Sequence, residues 1–297
     1  MGPPVTAGWS KPSSASRSAA EDVDGDINLD AYFTRIGYRG AREPTLEVLS
    51  ALHLAHPAAI PFESLDPLLG RPVLLDAPSL EAKLVRSRRG GYCFEQNGVF
   101  LRVLRQLGFA VTPLSARVRW MLPPDAPPTS LSHMMLRLDL PLGPYICDVG
   151  FGGQSPTAPL RFELDVPQET PHGDYRLTAV GNASDLQLSV RDRWETLYRF
   201  TEEPRFASDY MVSNWFTSTH PQSRFTNNLV ASRVVGSERL NLFNTGLTIH
   251  RKGAEPRFRA LPGPLELHAV LTQDFGLDVA PAVIEGVFPR LPAAGPS

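Results

Sequence analysis

The hydrophobic period of this chain changes at Gly108. Before it, apolar residues recur every three or four positions; after it, they alternate in steps of two. A period near 3.6 seats a helix and a period of two seats a strand, so helices come first and sheet second. Leu46, Val48, Leu49, Leu52 and Leu54 lie close to helical spacing behind a Pro44-Thr45 start. Residues 78–85 predict a second, short helix. A third opens near Cys93 and runs to Leu107, with Val99, Phe100, Val103, Leu104 and Leu107 as one apolar stripe and Gly108 as its stop. Beyond it, Met134, Leu136, Leu138 and Leu140 alternate with His133, Met135, Arg137 and Asp139, which predicts a half-buried strand. Residues 141–144 make a turn, and 145–149 return as the partner strand. Residues 186–190 and 196–200 extend the β region, and a helix-like stretch from Phe206 leads into a mixed C-terminal part. The chain therefore reads as α+β. Its expected divisions are a polar, proline-rich extension too poor in core residues to pack (1–27), a helical domain (28–107), a β-barrel or sheet (108–205) and a small α/β part (206–297), with a loose tail from about Leu291.

Composition narrows the function. The net charge is −2 and lysine occurs only at Lys11, Lys83 and Lys252, so no basic face is set aside for nucleic acid or an anionic membrane. Two cysteines, Cys93 and Cys147, are too few for a disulfide-stapled secreted domain and fit a reducing compartment. No stretch approaches the ~20 apolar residues of a membrane span. The first residues lack the apolar core of a signal peptide, and a cytoplasmic location is expected. No Cys or His pair has metal-ligand spacing, so no metal is expected.

Chemistry centres on Cys93. It follows Arg88-Arg89-Gly90-Gly91-Tyr92 and opens the third helix, where free N–H groups and the helix dipole favour a thiolate. The glycine pair allows a sharp turn and an accessible sulfur, and the two arginines add positive potential. A nucleophilic cysteine needs a base. Of seven histidines, His53 and His56 sit on the first, amphipathic helix and read as surface or packing residues, His172 lies in a loop, and His250 and His268 have polar surroundings. His133 opens a strand opposite its apolar face, and the return strand brings Asp148 to within a few residues of it. An acid between Cys147 and Val149 is costly unless paired, and an imidazole N–H suits it. Cys93, His133 and Asp148 thus supply nucleophile, base and orienter. Alternation leaves the register open.

The run Arg89-Gly90-Gly91-Tyr92-Cys93-Phe94-Glu95-Gln96-Asn97 resembles the signature around the acyl-accepting cysteine of arylamine N-acetyltransferases. Four further blocks resemble the same family in the same order. They are Ile60-Pro61-Phe62-Glu63-Ser64-Leu65-Asp66, Ser132-His133-Met134-Met135-Leu136, Cys147-Asp148-Val149-Gly150-Phe151-Gly152 and Ser213-Asn214-Trp215-Phe216-Thr217-Ser218-Thr219-His220-Pro221. Ser64, where the family more often has asparagine, and Ser132, often threonine, depart from the pattern. The resemblance fades after Phe225.

The resemblance implies a papain-like helical bundle, a β-barrel and an α/β lid. It implies ping-pong transfer of acetyl from acetyl-CoA, the co-substrate, to a small aromatic amine or hydrazine, a reaction of xenobiotic metabolism. It places Trp120, Gly152, Thr219, His220, Ser223 and Phe225 on the CoA side, and Phe62 and Phe151 along the acceptor pocket. Without the resemblance, the glycine-rich turn at 150–153 reads as a simple turn and residues 217–225 as a solvated loop dense in small donors. Two other enzymes fit the triad, a thiol hydrolase and an amide synthase releasing an acyl or polyketide chain. The 214–225 segment favours acyl transfer, because a peptidase groove has no need of it.

Overall fold

The computed structural model describes residues 25–293. Residues 1–24 of the expected extension, and the last four residues of the tail, lie outside the described part. Packing begins at Ile27, whose main chain exchanges two hydrogen bonds with the Gln106 side chain (3.1 and 3.0 Å). It is still present at Leu291, which packs against the C-terminal core.

Five helices precede the large sheet among the described residues: α1 (Leu29–Ile36), α2 (Leu46–Ala59), α3 (Leu65–Leu68), α4 (Ala77–Leu80) and α5 (Cys93–Gln106). Asn28, Thr45 and Asp76 start α1, α2 and α4 by accepting the N–H of Ala31, Val48 and Ser79. The helix expected over 78–85 has two pitches, because α4 widens into a π-helical turn over Glu81–Arg86. Gly108, at φ +88°, stops the chain after α5. Every residue of α5 from Cys93 to Leu104 is buried. The helix is a central post, and its polar residues find partners inside the protein.

A short strand β1 (Phe62–Glu63) leaves the helical part. The large sheet runs β2 (Ala110–Val118), β3 (Leu131–Leu140), β4 (Gly143–Cys147), β5 (Leu160–Arg161), β6 (Gln168–Thr170), β7 (Gly173–Val180), β8 (Ala183–Val190) and β9 (Arg193–Phe200). All neighbours are antiparallel, in the order β5-β4-β3-β2-β9-β8-β7-β6. Gln168 of one edge strand bonds both the N–H and the C=O of Arg161 on the other (2.7 and 2.8 Å), so its side chain bridges the two edges of a nearly closed barrel. Helices α6 (Ala207–Thr219) and α7 (Arg224–Asn227) follow, then β10 (Val230–Val235), β11 (Glu238–Phe243), β12 (Gly246–Arg251) and β13 (Arg257–Ala260), and finally α8 (Pro264–Ala269) and α9 (Pro281–Val287). β1 pairs with β10 as the edge of this second sheet, so the helical part and the lid share a strand.

Three apolar cores result. One fills the helices, one the barrel and one the lid. β3 lies between the first two: Met134, Leu136 and Leu138 face the helices while Met135 faces the barrel interior. The strand is therefore buried on both faces over this stretch, not half-buried, because barrel closure covers the side that alternation alone assigns to solvent. α6 contributes Tyr210 to the helical core.

Candidate active site

Each residue of the run 89–97 has a partner that explains it. Arg89 binds Glu63 (2.6 Å) and Asp66 (3.3 Å). Its charge is thereby engaged in ion pairs and does not serve as free positive potential for Cys93. Gly90 and Gly91 are required by close approach: a Cβ would lie 2.0 Å from Pro61 O at the first and 2.6 Å from the Glu95 carboxylate at the second. Glu95 accepts the Tyr92 N–H (3.0 Å) and pairs with Lys83 (2.6 Å), which fixes the first turn of α5. Gln96 donates to Pro61 O and Gly91 O (2.7 and 3.1 Å) and accepts from His56 Nε2 (2.6 Å), whose Nδ1 receives the Tyr32 hydroxyl (2.8 Å). The loop before Cys93 is thus pinned from both sides.

Cys93 opens α5 and is 4% exposed, so the sulfur is less accessible than the glycine pair suggested. The thiol points at Ser132 O (3.6 Å) on β3. The next residue of that strand is His133. Its Nε2 bonds Asp148 Oδ2 at 2.7 Å, which leaves Nδ1 for the Cys93 thiol, also a hydrogen-bond partner of the ring. Asp148 stands one residue past the end of β4, and the β3–β4 register (Leu136 opposite Cys147) carries it beside the start of β3. The structure therefore brings Cys93, His133 and Asp148 together from a helix, a strand and a strand end.

Electrostatics follow from burial and pairing. Burial alone lowers the pKa of His133, but the charge and hydrogen bond of Asp148, with the Cys93 side chain, outweigh it and raise the imidazole to about 10. Burial raises Asp148, yet His133, Asn97 and the Gly150 N–H hold its carboxyl below the ordinary carboxylate range. The pair is an imidazolium–carboxylate across neutral pH.

Three neighbours of this centre escaped the sequence reading. Asn97 donates to Asp148 Oδ1 (2.9 Å) and Met134 O (2.7 Å) and accepts the Val149 N–H (3.1 Å). Its i+4 spacing from Cys93 puts both on one helix face, which is the signal that points to it. His53 is 0% exposed and accepts the Asp148 N–H at Nε2 (3.1 Å), so of the two expectations for it, surface or packing, the surface one fails. His56 is equally buried. Tyr198 packs its ring 5.0 Å from His133, and burial and the nearby Asp148 carboxylate push its hydroxyl well above the usual tyrosine range.

The remaining predicted residues divide. Phe62, Phe151 and Phe225 are brought around the centre: Phe151 meets His133 edge-on at 5.1 Å, while Phe225 touches both Phe62 (5.9 Å) and Tyr92 (5.7 Å). Gly152 adopts φ +86° with the Phe62 ring 3.4 Å from where a Cβ would stand. Thr219 and Ser223 direct their hydroxyls to Trp215 O and Thr217 O, and Ser223 caps α7, so these donors are used locally. His220 stacks on Phe216 at 4.4 Å. Trp120 packs against the barrel core, and the flanking Arg117 and Arg119 bind carbonyls of residues 123–129.

The description of an N-acetyltransferase family matches residues 45–284 of this chain. The arylamine N-acetyltransferase of Mycobacterium tuberculosis is 46% identical over 257 residues, covering 86% of this chain and 90% of the relative. That of Escherichia coli is 45% identical over 252 residues, 84% and 89% of the two chains. Among solved structures, the Mycobacterium marinum arylamine N-acetyltransferase in complex with CoA superposes with a TM-score of 0.85 at 43% identity, covering 88% of this chain and 98% of that one. By class, fold and sequence together define an acyltransferase. The chain belongs to the arylamine N-acetyltransferase family.

Proposed function

We propose that this enzyme transfers acetyl from acetyl-CoA to arylamines and arylhydrazines through an acetyl-Cys93 intermediate, with His133 as base and Asp148 as its orienter. The observation that carries the reading is the 2.7 Å bond between His133 Nε2 and Asp148 Oδ2, with the other edge of the ring turned to a thiol at a helix N-terminus. With its proton already held by His133, the Cys93 sulfur attacks the thioester carbonyl of acetyl-CoA. The tetrahedral oxyanion collapses with cleavage of the C–S bond to CoA, and the imidazolium protonates the departing thiolate. The amine then attacks acetyl-Cys93, His133 takes its proton, and cleavage of the new thioester returns the enzyme to its starting state. The N–H groups of Cys93 and Phe94, in the first turn of α5, lie outside the helical ladder and are the oxyanion donors of this reading.

Phe62 and Phe151 form the apolar wall for the aryl group, Phe225 stands against Phe62 on the CoA side, and Gly152 lets CoA approach the main chain. Trp120, Thr219, His220 and Ser223 border the same side. The two free thiols suit a reducing, cytoplasmic site of action. Among the described residues no helix is long and apolar enough to cross a membrane.

The test is CoA release from acetyl-CoA, with and without a panel of arylamines and arylhydrazines. Parallel-line kinetics and slow release without amine are expected. Rapid amine-independent release would instead establish a thiol hydrolase.

A further inference from the structure

Asp148 lies just beyond the last ladder residue of β4, where its main-chain N–H has left the sheet and is enclosed by protein. An enclosed N–H without an acceptor costs about 1–3 kcal/mol. The acceptor comes from α2: His53 Nε2 lies 3.1 Å away, on a side chain fully closed to solvent. Accepting at Nε2 requires that the ring be neutral, with its proton on Nδ1. That Nδ1 is buried and has no hydrogen-bond partner, so the ring carries one unsatisfied donor. A buried histidine kept with half its hydrogen-bonding capacity unused is poor packing material. A leucine or phenylalanine would fill the space beside Phe100, whose ring meets His53 edge-on at 5.8 Å, without that cost.

We propose that His53 is a positioning residue for Asp148: its neutral imidazole holds the Asp148 main chain so that Oδ2 faces His133 while Oδ1 is held by Asn97 and Gly150. The inference rests on Cys93, His133 and Asp148 being the acyl-transfer centre. Asp148 receives hydrogen bonds on its carboxylate from three sides (His133 Nε2, Asn97 Nδ2 and Gly150 N), while the bond from its own N–H to His53 holds the peptide before it and the Val149 N–H bond to Asn97 holds the peptide after it. The charged or titratable groups facing His53 are Asp148 and His56, and burial dominates both of them in setting its pKa near 3. His53 thus stays an acceptor throughout the working range of the enzyme.

The experiment compares wild type with His53→Leu, which fills the site without an acceptor, and His53→Gln, whose Oε1 reaches the place of Nε2. The measurements are kcat and KM for acetyl-CoA and an arylamine, the pH profile of kcat, and thermal stability of the full chain. A displaced orienting group costs up to about 100-fold in rate. His53→Leu is expected to lower kcat by roughly 10- to 100-fold with both KM values within about twofold, and to move the alkaline limb of the profile to lower pH as His133 loses its oriented carboxylate. His53→Gln should recover most of kcat and the original limb. If His53→Leu does not fold, His53→Asn, too short to reach the Asp148 N–H, takes its place and should behave as it would. Loss of stability with unchanged kcat and unchanged pH profile in the folded variant overturns the proposal, as does a His53→Gln variant no better than His53→Leu or His53→Asn. Wild-type chain without acyl transfer would instead defeat the underlying assignment of function.

Discussion

Cys93 stands between two buried groups of charged side chains that close their hydrogen bonds differently. On the loop side, Lys83 reaches Asp66 and Glu95, both at 2.6 Å, and Arg89 reaches Glu63 and Asp66. The spare carboxylate oxygens of Glu63 and Glu95 take the N–H groups of Leu65 and Tyr92. Burial works against the charge on Lys83, but the three carboxylates around it raise its pKa, so it remains a cation. On the barrel side, the chain of bonds ends on a thiol, and His53 Nδ1 has no hydrogen-bond partner. The first group is complete and can only hold; the second leaves valences for a reaction to use. Partner satisfaction, more than the presence of buried charge, separates scaffold from chemistry here.

Substitution at the reactive side should give the largest effects. Cys93→Ser should reduce acetyl transfer by on the order of a thousandfold or more, and Asp148→Asn by roughly 100- to 10,000-fold, because the imidazole then loses both its orientation and its counter-charge. Steady-state CoA release on protein shown by circular dichroism to be folded is the measurement. An Asp148→Asn enzyme within tenfold of wild type would make the barrel-side group scaffold as well, and the distinction would collapse.

The opposite expectation holds on the loop side. Lys83→Met leaves Asp66 and Glu95 buried with fewer partners, and breaking a buried pair in this way costs about 3–5 kcal/mol. Denaturant unfolding should show that loss, while kcat per folded molecule stays within a few-fold of wild type. A loss of kcat as large as that of Asp148→Asn, without loss of stability, would show that Lys83 takes part in the chemistry.

The two sides were also unequally legible in the sequence. Cys93 could be placed because a glycine pair and an apolar stripe of period 3.6 bracket a helix start. The His133–Asp148 hairpin could be placed because both strands alternate. What alternation cannot encode is the far side of β3: Met135 looks solvent-facing until the barrel closes over it. The same holds for α2. Its spacing shows a stripe, but not that Leu54 is turned outward while His53 and His56 are turned in, a choice fixed by α5 and the Asp148 loop packing against it. Hydroxyl-rich residues 217–225 looked like free donors because composition does not reveal that Thr219 and Ser223 satisfy main-chain carbonyls.

A smaller, graded effect should appear with pH. His133 has its folded pKa raised to about 10 from an ordinary value of 6.5, so its share of stability is fully present below pH 6.5 and is lost as pH rises through about 10. Asp148 has its folded pKa lowered from 3.8, so its share is present above pH 3.8 and is lost as pH falls through the depressed value. The stability difference between wild type and His133→Gln should therefore be greatest between about pH 4 and 6.5. It should shrink toward pH 10 by no more than about 1.4 kcal/mol per pH unit. A difference that stays flat from pH 6.5 to 10 would mean the imidazole is neutral in the folded enzyme.

The smallest effect is expected at Cys147, one residue from Asp148 yet on the other face of β4. Its side chain belongs to the helical core with Met134 and Val149, and burial followed by the Asp148 charge raises its thiol well above the usual cysteine range. A protonated, enclosed thiol is a small apolar group, so Cys147→Ala should cost about 1 kcal/mol through the space it leaves and should not alter kcat. Iodoacetamide offers the sharper test, since it counts reactive thiols directly. The folded wild type should take up one equivalent, on Cys93, and acetyl-CoA should protect it because the acetylated sulfur has no free electron pair of thiolate strength. In denaturant the count should rise to two, and in Cys147→Ala it should be one in either state. Two rapidly reacting thiols in the folded enzyme would show that the core around Asp148 opens on the timescale of alkylation, and that Cys147 shares the reactivity assigned to Cys93 alone.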